Sequence, residues 1–132
     1  MNRMYPNDRK YSTEHEWAKV EADGTVTIGI TDYAQEHLGD IVFLDLPETG
    51  TSVKQSEKLG EVESVKSVSD IYSPLSGQVV ETNQAVMDSP ELVNQFPHDA
   101  GWLVRLEPSD KEELESLMSD SDYQSFLESL DS

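Results

Sequence analysis

A chain of 132 residues has room for one domain around one modest core. Its 27 acidic residues face nine Lys and Arg, and the formal net charge of -18 would repel phosphate backbones and anionic membrane surfaces, which excludes nucleic acid and membranes as partners. Cysteine is absent, so a disulfide framework, a thiol nucleophile and a zinc-thiolate site are excluded too, and any dithiol chemistry must arrive on an attached group.

The segment Met1 to Lys10 lacks the apolar core of a secretory signal, and no run approaches the ~18 apolar residues of a membrane span. A soluble, cytoplasmic protein is expected. Short β-branched and apolar runs at Thr25–Ile30 and Ile41–Leu46, bounded by turn residues, read as strands. Between them a short helix is predicted near 32–38, with Asp32 capping against Gln35 and Gly39 closing the C-terminus. Further strands fit Lys58–Val65, Val68–Tyr72, Gly77–Thr82 and Gly101–Glu107, the last placing Trp102, Val104 and Leu106 on one face. Asn83 to Ala100, punctuated by Pro90 and Pro97, reads as a long irregular connection pinned by Leu92, Val93 and Phe96. After Pro108 the period becomes helical. Ser109 and Glu112 form a capping box ahead of Leu114, Leu117 and Met118, then Ser121 and Gln124 start a helix with Tyr123, Phe126, Leu127 and Leu130 on one stripe. The expected fold class is mainly β with late helices.

Lys66 is the residue that points to chemistry. It is the only cation in Gly60-Glu61-Val62-Glu63-Ser64-Val65-Lys66-Ser67-Val68-Ser69-Asp70-Ile71-Tyr72, among three carboxylates. The runs on both sides of it read as two strands meeting at a tight turn, with the amine at the tip. Two-residue turns favour glycine or Asn-Gly and Asp-Gly pairs, and this one offers none, so turn stability was not the governing requirement. An exposed lysine beside acids is ordinarily just a solvated charge, whereas a lysine placed at a hairpin tip can be modified. Biotin carriers resemble a Met-Lys-Met pattern; here Val65 and Ser67 flank the amine, which fits lipoate better.

This hairpin resembles the attachment site of lipoyl carriers, and the chain as a whole is similar to the H-proteins of the glycine cleavage system. The resemblance runs through Tyr11, Glu14-His15-Glu16-Trp17, Ile28 to Asp40, Val42 to Pro47, the Lys66 segment, Ser73 to Gly77, Ser89 to Asn94 and Gly101-Trp102. It implies a lipoyl-type barrel-sandwich hybrid of two small antiparallel sheets, forming one lipoyl-carrier domain over 1–132 with a helical segment at 110–130 packed on it. It implies covalent lipoate on Lys66 as N6-lipoyllysine, and a cleft of Glu16, His37 and Asp70 in which the loaded arm parks. By the same resemblance the chain is no enzyme and has neither catalytic residues nor a metal. It would carry the methylamine group of glycine from a pyridoxal-phosphate glycine decarboxylase to a tetrahydrofolate-dependent aminomethyltransferase. A flavin- and NAD-dependent dihydrolipoyl dehydrogenase would then reoxidise it, and a lipoate-attaching enzyme would prepare it. The alternative is a lipoyl relay that donates lipoyl groups to 2-oxoacid dehydrogenase subunits, and a further one is an unmodified binding module. An enzyme using Glu16 and His37 as an acid/base pair would lack a nucleophile, a metal cluster and a phosphate loop.

Overall fold

The computed structural model describes residues 5–131; positions 1–4 and 132, part of the domain expected over 1–132, lie outside the described residues. The strands in chain order are β1 (Lys10–Tyr11), β2 (Glu16–Val20), β3 (Val26–Ile30), β4 (Ile41–Asp45), β5 (Ser52–Val53), β6 (Lys58–Ser64), β7 (Val68–Tyr72), β8 (Gly77–Thr82) and β9 (Val104–Pro108). They form a six-stranded sheet ordered β1-β2-β3-β9-β8-β5 and a three-stranded sheet ordered β4-β6-β7, antiparallel throughout. The mainly β, two-sheet fold class is the expected one.

Alternation decides what each sheet buries. Ala18, Ile28, Val79, Val104 and Leu106 of the large sheet meet Leu44, Leu59, Val62 and Ile71 of the small one in the main core. All five residues of β3 are buried, because its second face is covered as well. There Trp17 lies across Gly29, and a Cβ at that glycine would stand 2.5 Å from the indole Cζ2. The same indole donates to the carbonyls of Ile30 and Pro97, at 3.1 and 3.0 Å. Tyr5, Tyr11, Tyr123 and Leu127 complete this second cluster, with Tyr11 and Tyr123 stacked at 4.9 Å between centroids.

The helices are α1 (Asp32–Leu38), α2 (Gln84–Asp88), α3 (Glu91–Gln95) and α4 (Asp120–Asp131), with a 3-10 turn at Lys111–Ser116. Thr31, rather than Asp32, caps α1: its backbone is extended and its hydroxyl accepts the Ala34 N–H, while the Asp32 carboxylate accepts from the Gln35 side chain. Gly39 closes α1 as expected, at φ 82, with its N–H on the Gln35 carbonyl.

The span 83–100 is not irregular. The Asn83 side chain accepts the Ala85 N–H to start α2, and Pro90 precedes α3, where its missing N–H costs nothing. Val86 and Val93 then bury completely. Strand β9 begins only at Val104, and Trp102 leaves the Val104–Leu106 face to meet the Arg105 guanidinium, 4.4 Å from the ring centroid. Asp110 rather than Ser109 caps the 3-10 turn, and Ser119 accepts the Asp122 N–H at the start of α4. Among the described residues no helix is long and apolar enough to cross a membrane.

Candidate functional site

The turn between β6 and β7 is held by one hydroxyl. Ser64 Oγ accepts the backbone N–H groups of Lys66 and Ser67 at 3.1 and 3.2 Å, while the Ser64 N–H donates to the Ser67 carbonyl at 2.8 Å. No turn residue takes a positive φ, since the serine oxygen does the work for which other hairpins use a left-handed glycine. A further bond, Val65 N–H to the Asp40 carbonyl at 3.0 Å, clips the tip to the corner between α1 and β4.

Lys66 is exposed at this tip, and its stem runs along Gly39. Among the described residues no hydrogen bond or ion pair engages its Nζ. Lys58, on the same hairpin, differs: its Nζ lies 2.7 Å from Glu61 and 3.5 Å from Asp70, and the Glu61 hydrogen bond raises its pKa. An unpaired, exposed amine at a rigid turn fits a carboxylic acid attached as an amide.

Glu16 opens β2 on the face of Ala18 and is only 3% exposed. Its Oε1 accepts the Ser12 hydroxyl at 2.6 Å and its Oε2 accepts the Tyr72 N–H at 3.3 Å, so one carboxyl joins the large sheet to β7 of the small one. Burial pushes its pKa up to about 8, against the pull of those two hydrogen bonds and with a smaller push from the Glu14 charge. The carboxyl therefore keeps its proton at neutral pH. It lines a cavity of about 450 Å³ together with Tyr11, Ser12, Gln55, Tyr72 and Met118.

His37 sits in the last turn of α1, exposed, its ring stacked on Tyr33 at 4.1 Å and its Nδ1–H donating to the Tyr33 carbonyl. Asp70 lies on the outer face of the small sheet opposite Glu61, and Lys58 bridges the two like charges. The structure brings Lys66 to the α1 corner, two residues past His37, and ties Glu16 to Tyr72, two residues past Asp70. Among the described residues no hydrogen bond, ion pair or ring contact joins Glu16, His37 and Asp70 to one another. Neither does any group of three or more His, Asp or Glu stand ready to hold a metal ion.

Sequence reasoning missed Ser64 as the organiser of the turn and Ser12, Gln55 and Met118 as walls of the Glu16 cavity. Ser64 alone carried a local signal, since a hydroxyl beside a turn that lacks glycine invites a side-chain cap.

The profile described as Glycine cleavage H-protein matches residues 9–130. A glycine cleavage system H protein of Saccharophagus degradans is 54% identical over 125 residues, 95% of this chain and 96% of that one. Another, from Escherichia coli, is 54% identical over 123 residues, 93% of this chain and 95% of that one. The crystal structure of a glycine cleavage system H protein from Mycobacterium marinum matches with a TM-score of 0.86 at 42% identity, covering 93% of this chain and 98% of that one. With the profile spanning nearly every described residue, and the same fold recurring in a relative of known structure, the chain belongs to the glycine cleavage H-protein family.

Proposed function

We propose that this chain is a lipoyl carrier of the glycine cleavage system, with lipoate attached as N6-lipoyllysine at Lys66. The observation that carries the reading is an exposed, unpaired amine at the tip of a hairpin whose turn is fixed by Ser64 and clipped at Asp40. When bound, lipoate supplies a disulfide that takes up a substrate group and is restored by oxidation of the resulting dithiol. The chain performs no bond chemistry of its own.

Its partners are a pyridoxal-phosphate glycine decarboxylase, a tetrahydrofolate-dependent aminomethyltransferase, a dihydrolipoyl dehydrogenase using flavin and NAD, and a lipoate-attaching enzyme. A tethered group meets each docked enzyme at high effective concentration, and the fixed turn gives every partner the same pivot. The net charge of -18 steers the carrier toward basic docking surfaces.

Glu16, His37 and Asp70 form the parking region in this reading. Glu16, neutral and buried beside its cavity, gives up its proton when a cationic amine comes alongside, because an opposite charge favours the carboxylate. His37 stands on the corner over which the Lys66 stem runs, and Asp70 adds negative charge on β7.

Peptide mass spectrometry of protein from its native host tests the attachment. One lipoyl amide is expected on the Lys66 peptide and none on Lys66→Arg, which keeps the charge and loses the acylatable amine. A lipoyl group on Lys10, Lys19, Lys54, Lys58 or Lys111 overturns the assignment. Glycine-dependent one-carbon transfer by the lipoylated protein with the three enzymes tests the shuttle.

A further inference from the structure

Four of the large apolar side chains left exposed among the described residues stand together at the Lys66 end of the small sheet. They are Val42, Phe43, Val65 and Val68, and Phe43 and Val68 are 57% and 59% exposed. Register places them: Phe43 pairs with Glu63 and Glu63 with Val68, so the two apolar side chains flank one carboxylate in a single row on the outer face. The next row on that face is Asp45, Glu61 and Asp70, the last two bridged by Lys58. Strands lie about 4.8 Å apart, so the apolar row is only as wide as three strands and ends where the turn to Lys66 begins. Among the described residues nothing covers it.

We infer that this row of Phe43 and Val68, with Val65 beside Lys66, is the docking surface for the enzyme that acylates Lys66, a partner with an apolar hollow inside a basic rim. The inference rests on the lipoyl-carrier reading and adds the surface and the partner to it. Reach selects the occupant. An unmodified lysine extends only a four-carbon stem from the tip, so an enzyme that brings an activated acyl group to Nζ must lie against the residues flanking the hairpin. Later partners meet the much longer acylated arm and need no contact there. Charge selects against a second copy, which would bring the same carboxylates face to face and the same net charge of -18. In the step itself the Lys66 ammonium loses two protons as its nitrogen bonds to the acyl carbon. The acyl–phosphate bond of an acyl adenylate breaks, and AMP leaves.

The test is acylation of the full chain by a purified bacterial lipoate–protein ligase with lipoate and ATP, followed by intact mass. Phe43→Ser should raise the KM for the carrier about tenfold with kcat little changed, as removal of a central apolar anchor does at a protein interface. Val68→Thr, which keeps the β-branched shape, should raise it several-fold, and it carries the test if the Phe43 variant does not fold. Val20→Ser and Val80→Ser, exposed on the large sheet, should match the parent, and acylation of Lys66 by a small N-hydroxysuccinimide ester should be equal in all five proteins. An unchanged KM in both Phe43→Ser and Val68→Thr overturns the inference. So does a KM increase that appears only in the glycine decarboxylase step of the lipoylated variants, which gives the surface to that enzyme. A parent chain left unacylated at Lys66 instead overturns the carrier reading beneath it.

Discussion

The Cε of Lys66 stands 3.0 Å from the point where Gly39 would carry a Cβ, and Gly39 itself has φ 82 and ψ -160. The glycine thus serves two purposes: it closes α1 in a conformation that other residues rarely adopt, and it leaves a trough for the lysine stem.

Those purposes separate energetically. Gly39→Ala should destabilise the fold by about 1 to 3 kcal/mol through the backbone alone. The lysine stem is exposed and flexible, so it swings aside at little cost. Denaturant unfolding of Gly39→Ala and of Gly39→Ala/Lys66→Ala should therefore agree within about 0.5 kcal/mol. Recovery of most of the loss in the double variant would show that crowding, not backbone strain, sets the requirement.

Glu16 makes the fold less stable toward alkaline pH. Its pKa is about 8 in the folded chain against 4.5 as the ordinary value, so the folded state binds the extra proton between those limits. Stability must then fall as pH rises through that window. Glu16→Gln keeps one acceptor oxygen for the Tyr72 N–H, turns an amide N–H toward the Ser12 hydroxyl, which can accept it, and has no proton to lose. Its unfolding free energy should gain on the parent's from pH 5 to pH 9, by an amount on the order of a few kcal/mol at the upper end. A constant difference across that range would mean the carboxyl ionises normally.

His98 acts at the other end. Burial, aided by the Arg9 charge, lowers its pKa to about 4 from an ordinary 6.5, and its Nε2 accepts the Asp32 N–H at 3.2 Å, which only the neutral ring can do. Stability present above pH 6.5 is lost as pH falls toward 4, because the unfolded chain binds the proton first. Burial, aided by the His37 charge, also lowers the His15 pKa, and that group contributes with the same sign. His98→Gln should flatten the acid limb between pH 6.5 and 4; an unaltered slope there would assign the whole limb to other groups.

The Tyr123 hydroxyl lies 2.8 Å from His15 Nδ1 and 2.8 Å from Thr31 Oγ1, tying α4 to the loop before β2 and to the cap of α1. Tyr123→Phe keeps the ring stacked on Tyr11 and removes both bonds. A loss of about 1 to 3 kcal/mol is expected, with faster amide exchange in α4 than in β3. Uniform change across the chain would place the effect on global stability instead.

Strands Val68–Tyr72 and Gly77–Thr82 were readable to the residue, since alternation and flanking turn residues act locally. The helices at 84–88 and 91–95 were not, because five residues are too few for a helical period to repeat. Lys66 stood out through its strands, whereas the means of holding its turn lay in how one hydroxyl is aimed. Glu16 came only through the family resemblance of the Glu14-His15-Glu16-Trp17 segment. Its burial was not legible, because the N–H that receives it belongs to Tyr72, 56 positions away. Trp102 was placed on the wrong face for a related reason: the strand starts two residues later, and the Arg105 guanidinium draws the ring across.

A partner that closes over the hairpin must strip water from its backbone, and an amide left without an acceptor on drying costs about 1 to 3 kcal/mol. Here the amides of Lys66 and Ser67 already point at Ser64 Oγ and that of Val65 at the Asp40 carbonyl. The tip can be dehydrated with its own acceptors in place, so the acylating enzyme can cover and release it without supplying hydrogen bonds to the backbone.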